Sequence, residues 1–161
     1  MIFKNNNFLN LFFLSSSLII LSIVYYLEFF LGYIPCELCI YQRFPYFIII
    51  LLSISYLFIK NKKLKKITFL FYILIFFSSL IISTYHFGIE NNFWKSLTEC
   101  KVNNENITNN EDIKNYLLNK DYVSCSDVLF KVFGISLAGY NILISFFLFF
   151  ISIIGFKEIK N

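Results

Sequence analysis

Four stretches of the chain are apolar almost without interruption, approximately Phe8 to Leu31, Ile40 to Ile59, Ile67 to Phe87 and Phe133 to Phe156. A bilayer core is roughly 30 Å thick and an α-helix rises about 1.5 Å per residue, so about 20 such residues make a span. Each stretch qualifies. Two polar intervals separate them on one side, 32–39 and 88–132, and a short lysine-rich link lies between the second and third. The pattern predicts an all-α integral membrane protein, a four-helix transmembrane bundle forming a single membrane domain over residues 1–161. The first stretch is too long for the apolar region of a cleaved leader and no A-x-A-like site follows it, so it is read as a retained helix.

Within the long interval, Thr108 and Glu111 have the spacing of a capping box, with Ile113, Tyr116 and Leu117 at helical positions after them. A short amphipathic helix on the membrane surface is expected there. Asn106-Ile107-Thr108 matches a glycosylation sequon, a weak signal in an Asn-rich segment.

Composition strengthens the membrane reading. Of the 161 residues 58% are hydrophobic, with 22 Phe and 11 Tyr, and the mean hydropathy of +0.68 is beyond that of water-soluble domains. The partner is a lipid bilayer, and no nucleic acid is expected. The charge pattern orients the bundle: Lys60, Lys62, Lys63, Lys65 and Lys66 crowd the link between spans two and three, Lys4 precedes the first span, and Lys157 and Lys160 end the last. By the positive-inside rule these regions face the cytoplasm and the other two loops face outward together.

All four cysteines fall in those outward loops, Cys36 and Cys39 in the first, Cys100 and Cys125 in the second. That is the side on which disulfides form. Cys36 and Cys39 make a C-x-x-C pair at a helix start, where backbone N–H groups and the helix dipole favour thiolate over thiol. Arg43, four residues past Cys39, shares its face if the helix has begun, and a charge at the membrane boundary is a functional candidate or an interface anchor alongside Tyr41 and Tyr46. Cys100 and Cys125 could staple the long loop, at a gain of about 3 to 4 kcal/mol in the chain-entropy model. Two thiol pairs in one compartment can also exchange electrons through mixed disulfides. An exposed loop pair can meet a soluble protein thiol, and a pair against lipid can meet a hydrophobic carrier such as a quinone.

His86, the single histidine, lies near the outer end of span three, and its ordinary titration near neutrality suits proton transfer or a hydrogen bond to a quinone oxygen or thiolate. One histidine excludes bis-His haem. A single close cysteine pair argues against a structural zinc site, so no metal is expected. Gly134 and Ala138, four apart, suggest a close-packing face on the last helix. Asn141 suits a hydrogen bond across helices, and Glu28 an interfacial position.

The run Cys36-Glu37-Leu38-Cys39-Ile40-Tyr41-Gln42-Arg43 closely resembles the signature of the disulfide bond formation protein B (DsbB) family of bacterial inner-membrane thiol-oxidising proteins. The resemblance extends to Tyr85-His86-Phe87-Gly88-Ile89-Glu90 and to 134–141. It implies a protein-disulfide-generating thiol:quinone oxidoreductase. Cys100 and Cys125 would reoxidise a periplasmic thioredoxin-like dithiol oxidase, with Cys100 forming the mixed disulfide. Cys36 and Cys39 would pass the electrons to ubiquinone or menaquinone, with Cys39 as the thiolate that meets the quinone and Arg43 and His86 as quinone-binding residues. The segment 94–100 lacks the Gly-Pro-like element associated with relatives carrying the His-x-Gly-x-Glu stretch, a departure that bears on partner choice. The alternatives are a vitamin K epoxide reductase-like enzyme, whose membrane-side C-x-x-C belongs late in the bundle, and a non-catalytic membrane anchor or assembly factor with a stapled loop.

Overall fold

The structure, a computed structural model, describes residues 6–94, 125, 131, 132 and 134–159. Helix α1 spans Asn6–Phe29, α2 Glu37–Tyr41, α3 Phe44–Phe58 and α4 Lys62–Glu90; a two-stranded hairpin, β1 Lys131–Val132 and β2 Ile135–Ser136, leads into α5 Leu137–Glu158. Helices α2 and α3 together form one span, giving four candidate spans among the described residues. The chain is an all-α membrane bundle. The expected surface helix around 108–117, and Cys100 with it, lie outside the described residues.

Local chemistry sets the helix ends. Cys36 caps α2, its sulfur accepting the Cys39 N–H at 3.3 Å. Asn61 caps α4 through Oδ1 to the Lys63 N–H at 2.9 Å, and Ser136 caps α5 through Oγ to the Gly139 N–H at 3.2 Å. Pro45 explains why α2 and α3 do not merge smoothly. It has no N–H to offer the Tyr41 carbonyl, but at the start of α3 that N–H would be unsatisfied anyway. The chain therefore tightens at Gln42–Arg43, where the Arg43 N–H bonds to the Ile40 carbonyl at 3.0 Å.

The core sits in the half of the bundle toward the lysine-rich link. It joins Leu9 and Phe13 of α1, Ile49 and Tyr56 of α3, Phe69, Tyr72 and Phe76 of α4, and Leu148 and Ile151 of α5. Its rings meet edge-on, Phe13 to Tyr72 at 5.2 Å and Phe69 to Tyr72 at 5.5 Å between centroids. One polar knot crosses it: Asn10 donates to the Ser53 carbonyl at 3.0 Å and accepts from the Tyr72 hydroxyl at 2.6 Å. The outward faces are apolar as well, with Phe30 and Phe58 78% and 80% exposed. Lipid, in place of water, is the solvent that such faces fit.

Helices α4 and α5 share the longest interface. Small buried side chains line it, Ser79 and Ser83 on α4 and Ala138, Gly139, Ser145, Ser152 and Gly155 on α5. Such residues let transmembrane backbones approach. Gly134 is not among them. It closes the hairpin before α5 with φ 82°, so the expected pairing of Gly134 with Ala138 on one helical face does not occur. Gly155 marks the tightest approach: a Cβ there would lie 2.2 Å from Phe69 Cε1 and 3.1 Å from Leu9 Cδ1.

Gly155→Ala should therefore destabilise the bundle by about 1 to 3 kcal/mol, the usual cost of overpacking. Unfolding of the detergent-solubilised protein checks this, with Phe69→Leu expected to recover part of the loss in the double variant.

Candidate functional site

Opposite the lysine-rich link, five pieces of chain meet. Helix α2 with its cap supplies Cys36 and Cys39, and the tightened turn after it Gln42 and Arg43; α4 ends with His86 and Glu90; α5 begins with Ala138 and Asn141; α1 ends with Glu28; and Cys125 comes in from the long loop. Cys36, Leu38, Ile89 and Cys125 form a buried cluster with Cys39 and Tyr85 packed against it.

Cys36 is the hub. Its thiol donates to Cys39 Sγ at 2.8 Å, while its sulfur lies 3.5 Å from His86 Nε2. Cys125, whose thiol also contacts it, is the second sulfur neighbour. The Cys125 contact favours a Cys36 thiolate, but the Cys39 contact and burial oppose it and prevail, so the Cys36 thiol is pushed up to about 12. Cys125 is pushed well above the usual thiol range, first by its contact with Cys36 and then by burial. All three sulfurs are free thiols, and Cys36 is placed between the other two.

Behind the thiols runs a polar line. Gln42 Nε2 is 2.9 Å from His86 Nδ1, and Gln42 Oε1 accepts from Asn141 Nδ2 at 3.1 Å. Asn141 also donates to Ser83 Oγ at 2.7 Å and accepts from the Tyr46 hydroxyl. Glu90 accepts from Ser136 Oγ and lies 3.7 Å from His86 Nε2. Cys36, Cys39 and His86 have donor atoms within 4.8 Å of one another, close enough to share a metal ion. Such an ion would need a lone pair on His86 Nε2, the nitrogen facing Cys36.

Arg43 takes a different partner from the one its spacing suggests. The interruption at Gln42–Arg43 breaks the i, i+4 register with Cys39, and the guanidinium reaches α1, pairing with Glu28 at 2.5 Å and lying 5.0 Å from the Tyr25 ring centroid. Glu28 is thus the counter-ion of the site as well as an interfacial residue. Arg43 and Cys39 still line one cavity of about 400 Å³, walled by Leu21, Val24 and Leu27 of α1 and Ile144 of α5, with His86 and Asn141 at its polar end.

The structure thus brings together Cys36, Cys39, Cys125, Arg43 and His86; Cys100 lies outside the described residues. Sequence reasoning assigned no role to Gln42 or Glu90. Their signal was faint, a polar side chain inside or at the end of an apolar run.

The family model described as "Disulfide bond formation protein DsbB" matches residues 6–155. A Rickettsia prowazekii (strain Madrid E) protein, "Uncharacterized protein RP370", is 33% identical over 156 residues, covering 95% of this chain and 90% of the relative. No solved structure matches.

Thiolate is the form that alkylates, and a raised pKa keeps Cys36 protonated through neutral pH. In the fully reduced protein, alkylation of Cys36 should climb about tenfold per pH unit from pH 8 to beyond pH 10; an ordinary thiol with a pKa of about 8.5 would level off first. Peptide mapping by mass spectrometry reads this, and a plateau below pH 10 contradicts the assignment. Glu28→Gln strips the partner from a buried cation and should cost about 1 to 3 kcal/mol, less than at a fully buried pair because Glu28 is 25% exposed. In a double-mutant cycle, Arg43→Met should remove most of that penalty.

Proposed function

Because the chain belongs to the disulfide bond formation protein DsbB family, we propose that it is a thiol:quinone oxidoreductase of the bacterial inner membrane. It reoxidises a periplasmic thioredoxin-like dithiol oxidase and passes the electrons to ubiquinone or menaquinone, in support of protein disulfide formation. Both termini face the cytoplasm and the cysteine loops the periplasm, as the lysine distribution suggests. The observation that carries the reading is the meeting of Cys125 with Cys36 beside an apolar cavity that Cys39 also lines.

The residues present suit a quinone. The cavity walls are apolar, as an isoprenoid-bearing ring requires, and Arg43, which lines it, has a buried Nε with no hydrogen-bond partner among the described residues. A buried unmatched donor is costly, and a carbonyl oxygen would satisfy it. Arg43, with its charge balanced by Glu28, is the residue that would hold the quinone. When bound, the quinone takes up two electrons and two protons.

The chain's own part is thiol–disulfide exchange. The partner's two thiols reduce a Cys100–Cys125 disulfide and leave oxidised. Cys125 then attacks Cys36 of a Cys36–Cys39 disulfide; the new bond joins Cys125 to Cys36, and the electron pair of the old bond goes to Cys39. Cys100 next attacks Cys125, re-forming the Cys100–Cys125 disulfide, and the pair of the Cys125–Cys36 bond goes to Cys36, so that Cys36 and Cys39 are left reduced. The geometry suits this order, since Cys36 has Cys125 and Cys39 as its two sulfur neighbours. Cys39, accepting the Cys36 thiol hydrogen bond, is where negative charge is best tolerated.

Quinone reduction by the purified protein, driven by a reduced periplasmic dithiol oxidase, tests the reading. Cys36→Ser and Cys39→Ser should each abolish turnover while the protein still inserts, because one sulfur cannot close a disulfide. A partner oxidase reduced to one thiol should attack the Cys100–Cys125 disulfide and stay trapped on Cys100 as a mixed disulfide on non-reducing gels, with Cys125 released as the thiol. Wild-type turnover by either member of the Cys36–Cys39 pair alone contradicts the proposal.

A further inference from the structure

His86 ends a chain of amide hydrogen bonds whose direction can be read atom by atom. Asn141 Oδ1 accepts from the Tyr46 hydroxyl and from Ser145 Oγ at 3.4 Å, and Nδ2 donates to Ser83 Oγ and Gln42 Oε1. An amide oxygen only accepts and an amide nitrogen only donates. With Oε1 turned to Asn141, Gln42 presents Nε2 to His86 Nδ1. That nitrogen must be the acceptor and carries no hydrogen. The ring hydrogen is then on Nε2, the atom 3.5 Å from Cys36 Sγ and 3.7 Å from Glu90 Oε1.

We infer that Gln42 and Asn141 are positioning residues that lock His86 in the Nε2–H tautomer, making the imidazole a fixed hydrogen-bond donor to the Cys36 sulfur. Its chemical use rests on the thiol–quinone reading: when Cys100 attacks Cys125 and the Cys125–Cys36 bond breaks, the electron pair goes to Cys36, and a donor aimed there stabilises it without a second buried cation beside Arg43. This replaces the expectation of a proton carrier titrating near neutrality, because one ring nitrogen already carries hydrogen and the lone pair of the other is engaged. It also removes Nε2 as a metal ligand. Among the described residues, the ionisable groups around the ring are Cys36 and Cys39 at the head of α2 and Glu90 on its own helix, with Lys131 of β1 acting on Glu90 in turn. Arg43 with Glu28, and Tyr33, Tyr46 and Tyr140, line the adjoining cavity, and Cys125 lies beyond Cys36.

His86 is the single histidine, so 15N-histidine labelling of the full chain in nanodiscs gives the imidazole spectrum of this one residue. The wild type should show hydrogen on Nε2 and a bare Nδ1, unchanged from about pH 5 to about pH 8, across the ordinary histidine pKa of about 6.5. Asn141→Asp is nearly isosteric but cannot donate to Gln42 Oε1. The Gln42 amide should turn over, face its oxygen to the ring, and move the hydrogen to Nδ1. Gln42→Glu should do the same directly and give quinone turnover a pH-dependent limb that the wild type lacks. In both variants kcat should fall roughly 10- to 100-fold, near the lower end of losses for a preorganised donor, with the KM for the partner dithiol unchanged. A wild-type ring that carries hydrogen on Nδ1, or that charges within this range, overturns the inference, as does an unmoved tautomer in both variants. Loss of the thiol–quinone reading would show separately, as absent wild-type turnover with the Nε2–H signal intact.

Discussion

No water reaches the hydrocarbon core to satisfy a stray polar group, so an amide or hydroxyl placed there depends on partners inside the bundle, and among the described residues few, Ser17 Oγ and Tyr56 OH among them, lack one. At the cysteine end that constraint converges on Asn141. It takes the Tyr46 hydroxyl from α3, gives one hydrogen to Ser83 on α4 and the other to Gln42 at the α2–α3 turn. With all its partners supplied, such a network rigidifies the elements it joins. The α2–α3 turn is thereby fixed against α4 and α5, and with it the C-x-x-C pair.

Arg43 obeys the same rule with a charge in place of an amide. Glu28 neutralises it and Tyr25 covers it, and both come from α1, so the ion pair ties the remaining span to the site. The cavity lies between these two ties. Its walls are apolar because the polar groups nearby are already committed, and Arg43 Nε is the exception. Cys36, with Cys39 and Cys125 as its sulfur neighbours, links that cavity to the long loop. The proposed electron route from loop to membrane would run through this junction.

Much of this was legible in the sequence, for physical reasons. Apolar runs of about 20 residues have few uses other than spanning lipid, and the helices observed fall on them. The C-x-x-C pair and Arg43 stood out because cysteines and charges are conspicuous at a membrane boundary. What stayed hidden depends on partners distant along the chain. Nothing local says that Arg43 reaches back to Glu28 and away from Cys39, although Pro45 did signal a break. Asn141 does suit a hydrogen bond across helices, as the sequence suggests, but its partners Gln42, Ser83 and Tyr46 emerge only when the fold sets them against it. Gly134 reads as helical because a hairpin of two-residue strands leaves no periodic trace; the apolar run starts at Phe133, whereas α5 begins at Leu137.

The loop thiol of Cys125 and the thiol of Cys36 are direct neighbours, and on the proposed reading disulfide exchange between them needs no rearrangement of the bundle. Oxidising a Cys39→Ser, Cys100→Ser variant leaves Cys36 and Cys125 as the two remaining cysteines, and peptide mapping under non-reducing conditions reports whether they join. The account predicts a linked pair of peptides containing Cys36 and Cys125, formed within the intact, membrane-embedded chain. Two unlinked cysteines, or a bond made only between separate chains, would contradict it.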